Sequence, residues 1–349
     1  MKKKKKRKIQ VGLILFLLGF SVALLFVYRY YQKIYQPAVQ LEQAEGYYYI
    51  HSNWDFKTLV QDLYQKKIIV DTASFIWVAK QKSFSKPKAG RYQINDGMSN
   101  NQLVNLFRSG KQLPVKLSFN SLRSKQALAS RVAEQIEADS AQLMQLLEDP
   151  ETASKYGFTK RTFICMFLPN TYEFYWDTQA ADFIARMAKE YKRFWNQERI
   201  SKAKALNLSQ SEVSILASIV QAEQMAHPDE RPKVAGLYIN RLRRGMRLQS
   251  DPTLIYALGD FSIKRVLNRH KAVDSPYNTY KYTGLPPGPI YLPDRSSIEA
   301  VLNYQKHDYL YMCAKADFSS YHNFSKSLRQ HNIYARQYQR ELNRRKIMR

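Results

Sequence analysis

The sequence predicts an α+β protein with an N-terminal transmembrane helix, a small α+β subdomain and a larger mixed α/β domain whose core helix carries a glutamate. Three observations predict this arrangement. An uncharged apolar run follows a basic N-terminus, strand and helix patterns alternate after it, and a helical pattern over residues 212–224 places Glu223 on its apolar face. The 349 residues leave room for two or three domains.

The first element is a membrane anchor. Residues 2–8 are all Lys or Arg, and Val11–Tyr28 contains no charged residue. As a helix this run spans about 27 Å, enough to cross the hydrocarbon core of a bilayer. An aromatic and basic segment follows it in place of a small-residue cleavage site, so we expect a retained span rather than a signal peptide.

The basic tail sets the orientation of this anchor. We assign residues 1–10 to a cytoplasmic tail and residues 11–30 to the span, because basic flanks stay on the cytoplasmic side. The rest of the chain then lies outside the cytoplasm, as in a single-pass protein of a bacterial inner (cytoplasmic) membrane with a periplasmic or extracytoplasmic domain.

The net charge of +26 restricts the partners. A basic surface can bind nucleic acid, anionic lipid or an acidic polymer. Outside the cytoplasm nucleic acid is not expected, and lipid headgroups or acidic wall polymers fit better. A solvated helical face explains the basic C-terminus equally well.

The two cysteines, Cys165 and Cys313, both lie in apolar segments. Such surroundings favour buried free thiols, although an oxidising compartment would allow the two to pair. No spacing of His, Cys, Asp or Glu is typical of a metal site, so we expect neither metal nor cofactor.

Residues 44–113 are predicted to form the small subdomain. The expected elements are two strands and three helices, at Tyr47–His51, Phe56–Tyr64, Thr72–Gln81, Gly90–Ile94 and Asn100–Arg108. This segment holds no cluster of potential catalytic groups, which indicates a binding or spacer role. Residues 114–160 follow as a connector of one strand and helical segments.

The larger domain, predicted over residues 161–340, contains the candidate catalytic group. We expect helices over 180–197 and 211–224, and Leu216, Ile219 and Glu223 share one face of the second. A glutamate on that face is partly withdrawn from water, which raises its pKa and lets it act as a general acid near neutral pH. A boundary glutamate paired with an arginine would show the same spacing.

Rigid, polar segments after this helix supply candidate substrate contacts. Asn278 and Tyr280 are predicted to contact sugars or to orient Glu223, with a turn-shaping role as the alternative. Asp251, in a predicted loop before a proline, is a loop-fixing acceptor or a second acid. Asn240, on the neighbouring helix, orients the groove or supports the core.

Several motifs occur together in the order seen in one protein family. They are Ala217–Glu223, Glu230–Ala235, Tyr238–Leu242, Gly245–Thr253, Tyr277–Tyr280, Thr283–Ile290 and His322–Ser325. Through them the chain resembles the endolytic murein transglycosylases (MltG/YceG-like) over nearly its whole length.

The resemblance implies a lyase that cleaves the β-1,4 bond between N-acetylmuramic acid and N-acetylglucosamine inside nascent peptidoglycan strands, which limits strand length. No water is added, and the product ends in 1,6-anhydro-N-acetylmuramic acid. Glu223 matches the single glutamate that serves the family as acid and base. The resemblance also implies a LysM-like unit over residues 44–113 and action close to peptidoglycan synthases.

Two departures from the family pattern keep other functions open. Gln221 stands where a further glutamate is common, and Gln224 stands where a small hydroxyl is usual. Both would suit a catalytically inactive, membrane-anchored peptidoglycan-binding scaffold. A hydrolase would need a second carboxylate, with Asp251, Glu173 and Asp274 as candidates. A polyanion binder would rest on charge alone and lose affinity with salt.

Overall fold

A computed structural model describes residues 2–263 and 265–345, with side chains from residue 9 onward. The chain divides into two compact units. Unit 1 is drawn from Met1–Lys116 and Glu173–Thr178, and unit 2 from Leu117–Tyr172 and Gln179–Arg349. Most of the predicted connector, residues 114–160, therefore belongs to the same unit as Glu223.

Unit 1 begins with α1 (Lys2–Tyr35), which contains the predicted anchor. The segment Ile9–Tyr35 is long and apolar enough to span a membrane once. Its apolar side chains are exposed along the whole run, and Phe16, for example, is 68% exposed. An apolar helical surface that the protein does not cover suits the hydrocarbon core of a bilayer.

The rest of unit 1 alternates strands and helices. These elements are β1 (Glu45–Ile50), α2 (Phe56–Gln65), α3 (Thr72–Gln81), β2 (Gly90–Asn95) and α4 (Asn100–Ser109). The two strands pair antiparallel, with Glu45 opposite Asn95 and Ile50 opposite Gly90. The core beneath them is rich in aromatic side chains, including the fully buried Phe75, Tyr92 and Phe107.

Unit 2 is mainly helical. The chain passes between the units in β3 (Val115–Phe119) and β4 (Asn170–Phe174). The other elements of unit 2 are α5 (Lys125–Ala133), α6 (Ser140–Glu148), α7 (Pro150–Lys155), α8 (Ala180–Phe194), α9 (Gln197–Ala205), α10 (Gln210–Glu223), α11 (Arg231–Arg243), α12 (Asp251–Leu258), α13 (Arg295–Leu302), β5 (Tyr311–Ala314), β6 (His322–Ser325) and α14 (Leu328–Arg344). Strands β5 and β6 pair antiparallel.

Helix α10 lies at the centre of unit 2. Every residue from Val213 to Gln221 is buried, and α11, α12 and α13 pack against it. A capping box closes its first turn, because Ser209 and Glu212 each accept a hydrogen bond from the other's backbone N–H. The helix ends at Glu223, since the next residue leaves helical geometry. The last helical residue therefore emerges from the core beside the neighbouring helices.

The segment before β5 is held closely against α11. A Cβ at Gly236 of α11 would collide with the backbone oxygen of Gln305, so only glycine permits this approach. Asn240, one turn further along α11, donates to the backbone oxygens of His307 and Tyr309 at 2.7 and 3.1 Å. These contacts hold the segment that leads into β5 against α11.

Candidate active site

The carboxyl group of Glu223 receives two hydrogen bonds on one oxygen. The Tyr238 hydroxyl on α11 donates to Oε1 at 2.7 Å, and the Ser250 hydroxyl just before α12 donates to the same atom at 2.5 Å. Two donors occupy both lone pairs of Oε1. Within the described part of the chain no donor binds Oε2, so Oε2 is the oxygen able to hold and exchange a proton.

The surroundings raise the pKa of Glu223 above its ordinary value. Desolvation by burial is the main cause, and the negative charge of Asp251 adds to it. The hydrogen bonds from Ser250 and Tyr238 and the proximity of His322 act in the opposite direction without cancelling the effect. Part of Glu223 is accessible to solvent, but protein atoms crowd its carboxyl group. It therefore keeps its proton closer to neutral pH than an exposed glutamate does.

Glu223 lines a cavity of about 230 Å³. The cavity is lined by both polar and apolar residues, all of them in unit 2. Its other lining residues are Leu237, Tyr238, Arg241, Leu248, Gln249, Asp251, Tyr280, Met312, Cys313, Ala314 and His322. The acid thus opens onto a space in which polar groups come from α11, α12, β6 and the loop before α13.

A second cavity of about 180 Å³ involves the chain neighbours of these residues. Ala222 and Pro252 line it, next in sequence to Glu223 and Asp251. Its walls are largely apolar and aromatic, with Tyr256, Phe261, Ile290 and Tyr291 among them. Flat aromatic rings with polar edges are suited to the mixed apolar and hydroxylated faces of a sugar.

Residues 48–337 match the family model described as the YceG-like family. This chain belongs to the YceG-like family. A crystal structure of a YceG-like protein from Listeria monocytogenes matches with a TM-score of 0.56 and 30% identity, covering 83% of this chain and 98% of that one.

Two relatives carry the name endolytic murein transglycosylase. The Bacillus subtilis protein is 29% identical over 321 residues, which cover 87% of this chain and 88% of that protein. The protein from Streptococcus pneumoniae D39 is 28% identical over 279 residues, which cover 69% of this chain and 49% of that protein.

Two of the predicted substrate-binding residues of this YceG-like protein, Asp251 and Tyr280, line the Glu223 cavity. The Tyr280 hydroxyl donates to Oδ1 of Asp251 at 2.5 Å. The prediction of a loop at Asp251 was wrong, because α12 begins there. Pro252 is compatible with this helix start. Backbone N–H groups in the first turn of a helix make no intrahelical hydrogen bond, so the N–H that proline lacks is not needed there.

The other two predicted residues are engaged in holding the backbone. Asn278 is fully buried and donates to the backbone oxygens of Lys271 and Val273 at 3.0 and 2.7 Å. Its Oδ1 accepts from the backbone N–H of Tyr280 at 3.0 Å, so it shapes the turn that presents Tyr280. Asn240 holds the segment before β5, as described above. Neither is among the residues that line the two cavities.

The side chains of Gln221 and Gln224 have different hydrogen-bond partners. The amide nitrogen of Gln221 donates to Ser121 Oγ at 3.0 Å, and its oxygen accepts from the Asp294 backbone N–H at 2.8 Å and from Ser297 Oγ at 3.0 Å. Gln221 thus faces α13, while Glu223, two residues further on, faces α11 and Ser250. Gln224 donates to Oε2 of Glu230 at 2.5 Å.

The side chains that hold Glu223 are not marked by any strong pattern in the sequence. Tyr238 gave a weak signal, because it shares a helical stripe with Val234 and Arg241 and a buried tyrosine needs a partner for its hydroxyl. Ser250 lies 27 residues from Glu223 in the chain and gave none. His322 and Glu230 appeared only as parts of the family motifs.

The two cysteines, Asp274 and possible metal ligands were also considered from the sequence. Both cysteines are free thiols, and burial raises the pKa of Cys165 to about 12. Asp274 is exposed and accepts from Lys281 Nζ and from the Tyr282 hydroxyl at 2.8 and 2.6 Å. Over residues 2–263 and 265–345, no three His, Cys, Asp or Glu side chains are grouped so that they could hold a metal ion.

Proposed function

We propose that this protein is an endolytic murein transglycosylase that cleaves the bond between N-acetylmuramic acid and N-acetylglucosamine within peptidoglycan strands. The named relatives and the family match over residues 48–337 support this function. The supporting observation in the structure is the asymmetry of the Glu223 carboxyl group. Its Oε1 is fixed by two hydroxyls, and its Oε2 is left for proton transfer at a cavity.

The proposed reaction uses Glu223 twice. The protonated Oε2 first gives its proton to the glycosidic oxygen, and the bond from that oxygen to the muramyl anomeric carbon breaks. The carboxylate then takes the proton of the muramyl C6 hydroxyl, whose oxygen bonds to the anomeric carbon. The products are a 1,6-anhydro end and a free 4-hydroxyl on N-acetylglucosamine. Glu223 is protonated again, and no water is consumed.

The arrangement around Glu223 suits both steps. The raised pKa keeps the acid form available, while the Ser250 and Tyr238 hydroxyls stabilise the carboxylate that forms after the first transfer. The two cavities together are proposed to accept neighbouring sugars on either side of the scissile bond. Asp251 and Tyr280 then contribute polar contacts at the first cavity, and Tyr256, Phe261 and Tyr291 contribute the aromatic wall of the second.

A hydrolase is the second candidate function, because Asp251 is a further carboxylate on the cavity that Glu223 lines. In that case Asp251 would activate a water, and the new muramyl end would be a free reducing end rather than an anhydro end. Against it, the Tyr280 hydroxyl donates to Asp251, and a substrate hydroxyl replaces water in the family reaction. The two functions differ in product chemistry.

We also propose the cellular arrangement. The basic tail before Ile9–Tyr35 supports a cytoplasmic N-terminus in the inner membrane, with both units outside the cytoplasm. Residues 44–113 are proposed to be a LysM-like unit that contacts the same glycan. Peptidoglycan synthases are proposed partners, because a strand-shortening enzyme on the same membrane meets the strand as it is made.

The deciding experiment uses the full chain in detergent and purified glycan strands, with product ends identified by mass spectrometry. We expect anhydro-muramyl ends from the wild type and none from Glu223→Gln, which keeps the size of the side chain but cannot donate the acidic proton. Glu212→Gln is the matched control: it makes the same change on α10, and glutamine can also complete a capping box.

Each other outcome has a definite meaning. Free reducing ends from the wild type would establish hydrolysis and point to Asp251. Cleavage by Glu223→Gln at the wild-type rate would show that another group is the acid. Strands left intact by every folded variant, in the presence of an active reference enzyme, would favour a wall-binding scaffold.

A further inference from the structure

A histidine side chain also lines the Glu223 cavity and is held in one orientation. The Nδ1 atom of His322, the first residue of β6, lies 2.8 Å from Oε2 of Glu230, and the His322 backbone N–H donates to Oε1 of the same carboxylate at 3.0 Å. The imidazole is largely buried, with 15% of its side chain exposed. Both the position of the backbone and the rotation of the ring are therefore set by one carboxylate.

The surroundings of Glu230 keep its carboxyl group in the ionised form. Burial alone would raise its pKa, but the hydrogen bonds from His322 and Gln224 outweigh burial and lower it. Gln224 contributes through its Nε2 atom, which donates to Oε2 of Glu230 at 2.5 Å. A second bond from that nitrogen, to the backbone oxygen of Ser320 at 2.9 Å, ties Gln224 to the turn before β6. Glu230 is thus an ionised acceptor.

An ionised acceptor at Nδ1 fixes which ring nitrogen donates to it. A carboxylate can only accept, so Nδ1 carries the hydrogen of this contact, and the Nδ1–H tautomer has its lone pair at Nε2. In the part of the chain that the structure describes, no side chain or backbone group occupies Nε2. The ring lines the same cavity as Glu223.

We propose that His322 is a further substrate-contacting residue, whose Nε2 accepts a hydrogen bond from a hydroxyl or acetamide N–H of the hexosamine in the Glu223 cavity. Glu230 and Gln224 are the positioning residues that hold this tautomer. The inference rests on the proposed function and assigns a role to Gln224, which replaces the small hydroxyl usual in the family.

Three carboxyl groups lie near the ring. Glu230 accepts from Nδ1, and Glu223 and Asp251 line the same cavity as His322. A sugar that reaches the Glu223 carboxyl group therefore also comes close to the ring.

The first test is spectroscopic and does not depend on turnover. Full-length protein labelled with ¹⁵N-histidine is observed in detergent by long-range ¹H–¹⁵N NMR, and His322 is assigned by comparison with His322→Phe. We expect the Nδ1–H tautomer, with a change at Nε2 when chitotetraose, a soluble N-acetylhexosamine oligomer, is added to the Glu223→Gln protein. A His322 ring with its hydrogen on Nε2, or an Nε2 signal that ignores saturating oligosaccharide, would overturn the proposal.

The second test is kinetic. We expect His322→Phe to lower kcat/KM on glycan strands about tenfold, the value of one hydrogen bond. His322→Gln should recover part of the loss, because its amide oxygen can occupy the place of Nε2. Glu230→Gln should lose about as much as His322→Phe, and the double variant no more, because both changes remove one coupled unit.

His331→Phe is the control, since this histidine packs against Tyr311 and does not line the cavity. Wild-type kcat/KM in a folded His322→Phe protein, or fully additive losses in the double variant, would refute the role of the pair. A wild type that left strands uncut would instead reject the proposed function, and the tautomer measurement would still decide the state of His322.

Discussion

The two faces at the end of α10 show how differently one helix can use neighbouring side chains. On the α13 face, Gln221 makes hydrogen bonds with Ser121, Asp294 and Ser297 through both ends of its amide. On the α11 face, Glu223 has one oxygen fixed and the other free. The two residues are about 200° apart around the helix, so they belong to different environments.

This difference separates stability from chemistry. A buried polar group that is hydrogen-bonded to protein at both ends stabilises the packing around it. A desolvated carboxyl with an unbound oxygen costs stability and can transfer a proton. Gln221 therefore belongs to the structural face of α10, and Glu223 belongs to the face that we propose to be reactive.

The largest predicted effect concerns activity on the two faces. Glu223→Gln should lower the rate of anhydro-end formation by about 10²–10⁴-fold, the usual contribution of a general acid. Gln221→Ala should keep most of the activity but lose about 1–3 kcal/mol of stability, because its partners are left unpaired. Strand cleavage assays and urea unfolding measure both. Equal losses of activity in the two variants would contradict the assignment of activity to the Glu223 face and stability to the Gln221 face.

A second prediction concerns the hydroxyls on Oε1. Each stabilises the charged form of Glu223, so Ser250→Ala or Tyr238→Phe should raise the pKa of Glu223 further. Because the acid must be protonated to start the reaction, the alkaline limb of the kcat/KM profile should move to higher pH. A profile unchanged in both variants would show that these hydroxyls do not act on the group that titrates.

A third prediction reverses the direction of that shift. Asp251 raises the pKa of Glu223 through its negative charge, so Asp251→Asn should move the alkaline limb to lower pH. Asp274→Asn removes an exposed carboxylate that does not line the cavity and should leave the limb in place. Equal shifts of the pH profile in the two variants would show that the charge of Asp251 has no specific effect on the pKa of Glu223.

The smallest predicted effect is on stability. The folded-state pKa of Glu223 is raised, so its favourable contribution is fully present below the unfolded value of about 4.3 and is lost as pH rises through the folded value. Glu223→Gln should therefore melt a few degrees higher than wild type at pH 8 and at about the same temperature near pH 3.5. Calorimetry at both values tests the sign, and a variant less stable at pH 8 would contradict it.

Local signals predicted elements well where they were strong. The pattern over Thr72–Gln81 gives the bounds of α3, and the helix expected over 211–224 corresponds to α10, Gln210–Glu223. The single helix expected over 180–197 was wrong, because α8 ends at Phe194 and Asn196 caps α9 by accepting from the Arg199 backbone N–H at 3.0 Å. Helical periodicity continues across that break, and only the cap reveals it.

The sequence by itself determined the apolar anchor, the helical placement of Glu223 and its family, because each depends on residues that are close together in the chain. Tertiary structure alone decided what surrounds the carboxyl group. Tyr238, Ser250 and His322 come from α11, a loop and β6, and their convergence depends on how those elements pack on α10. A pKa and a free oxygen are properties of that packing, so no spacing along the chain contains them.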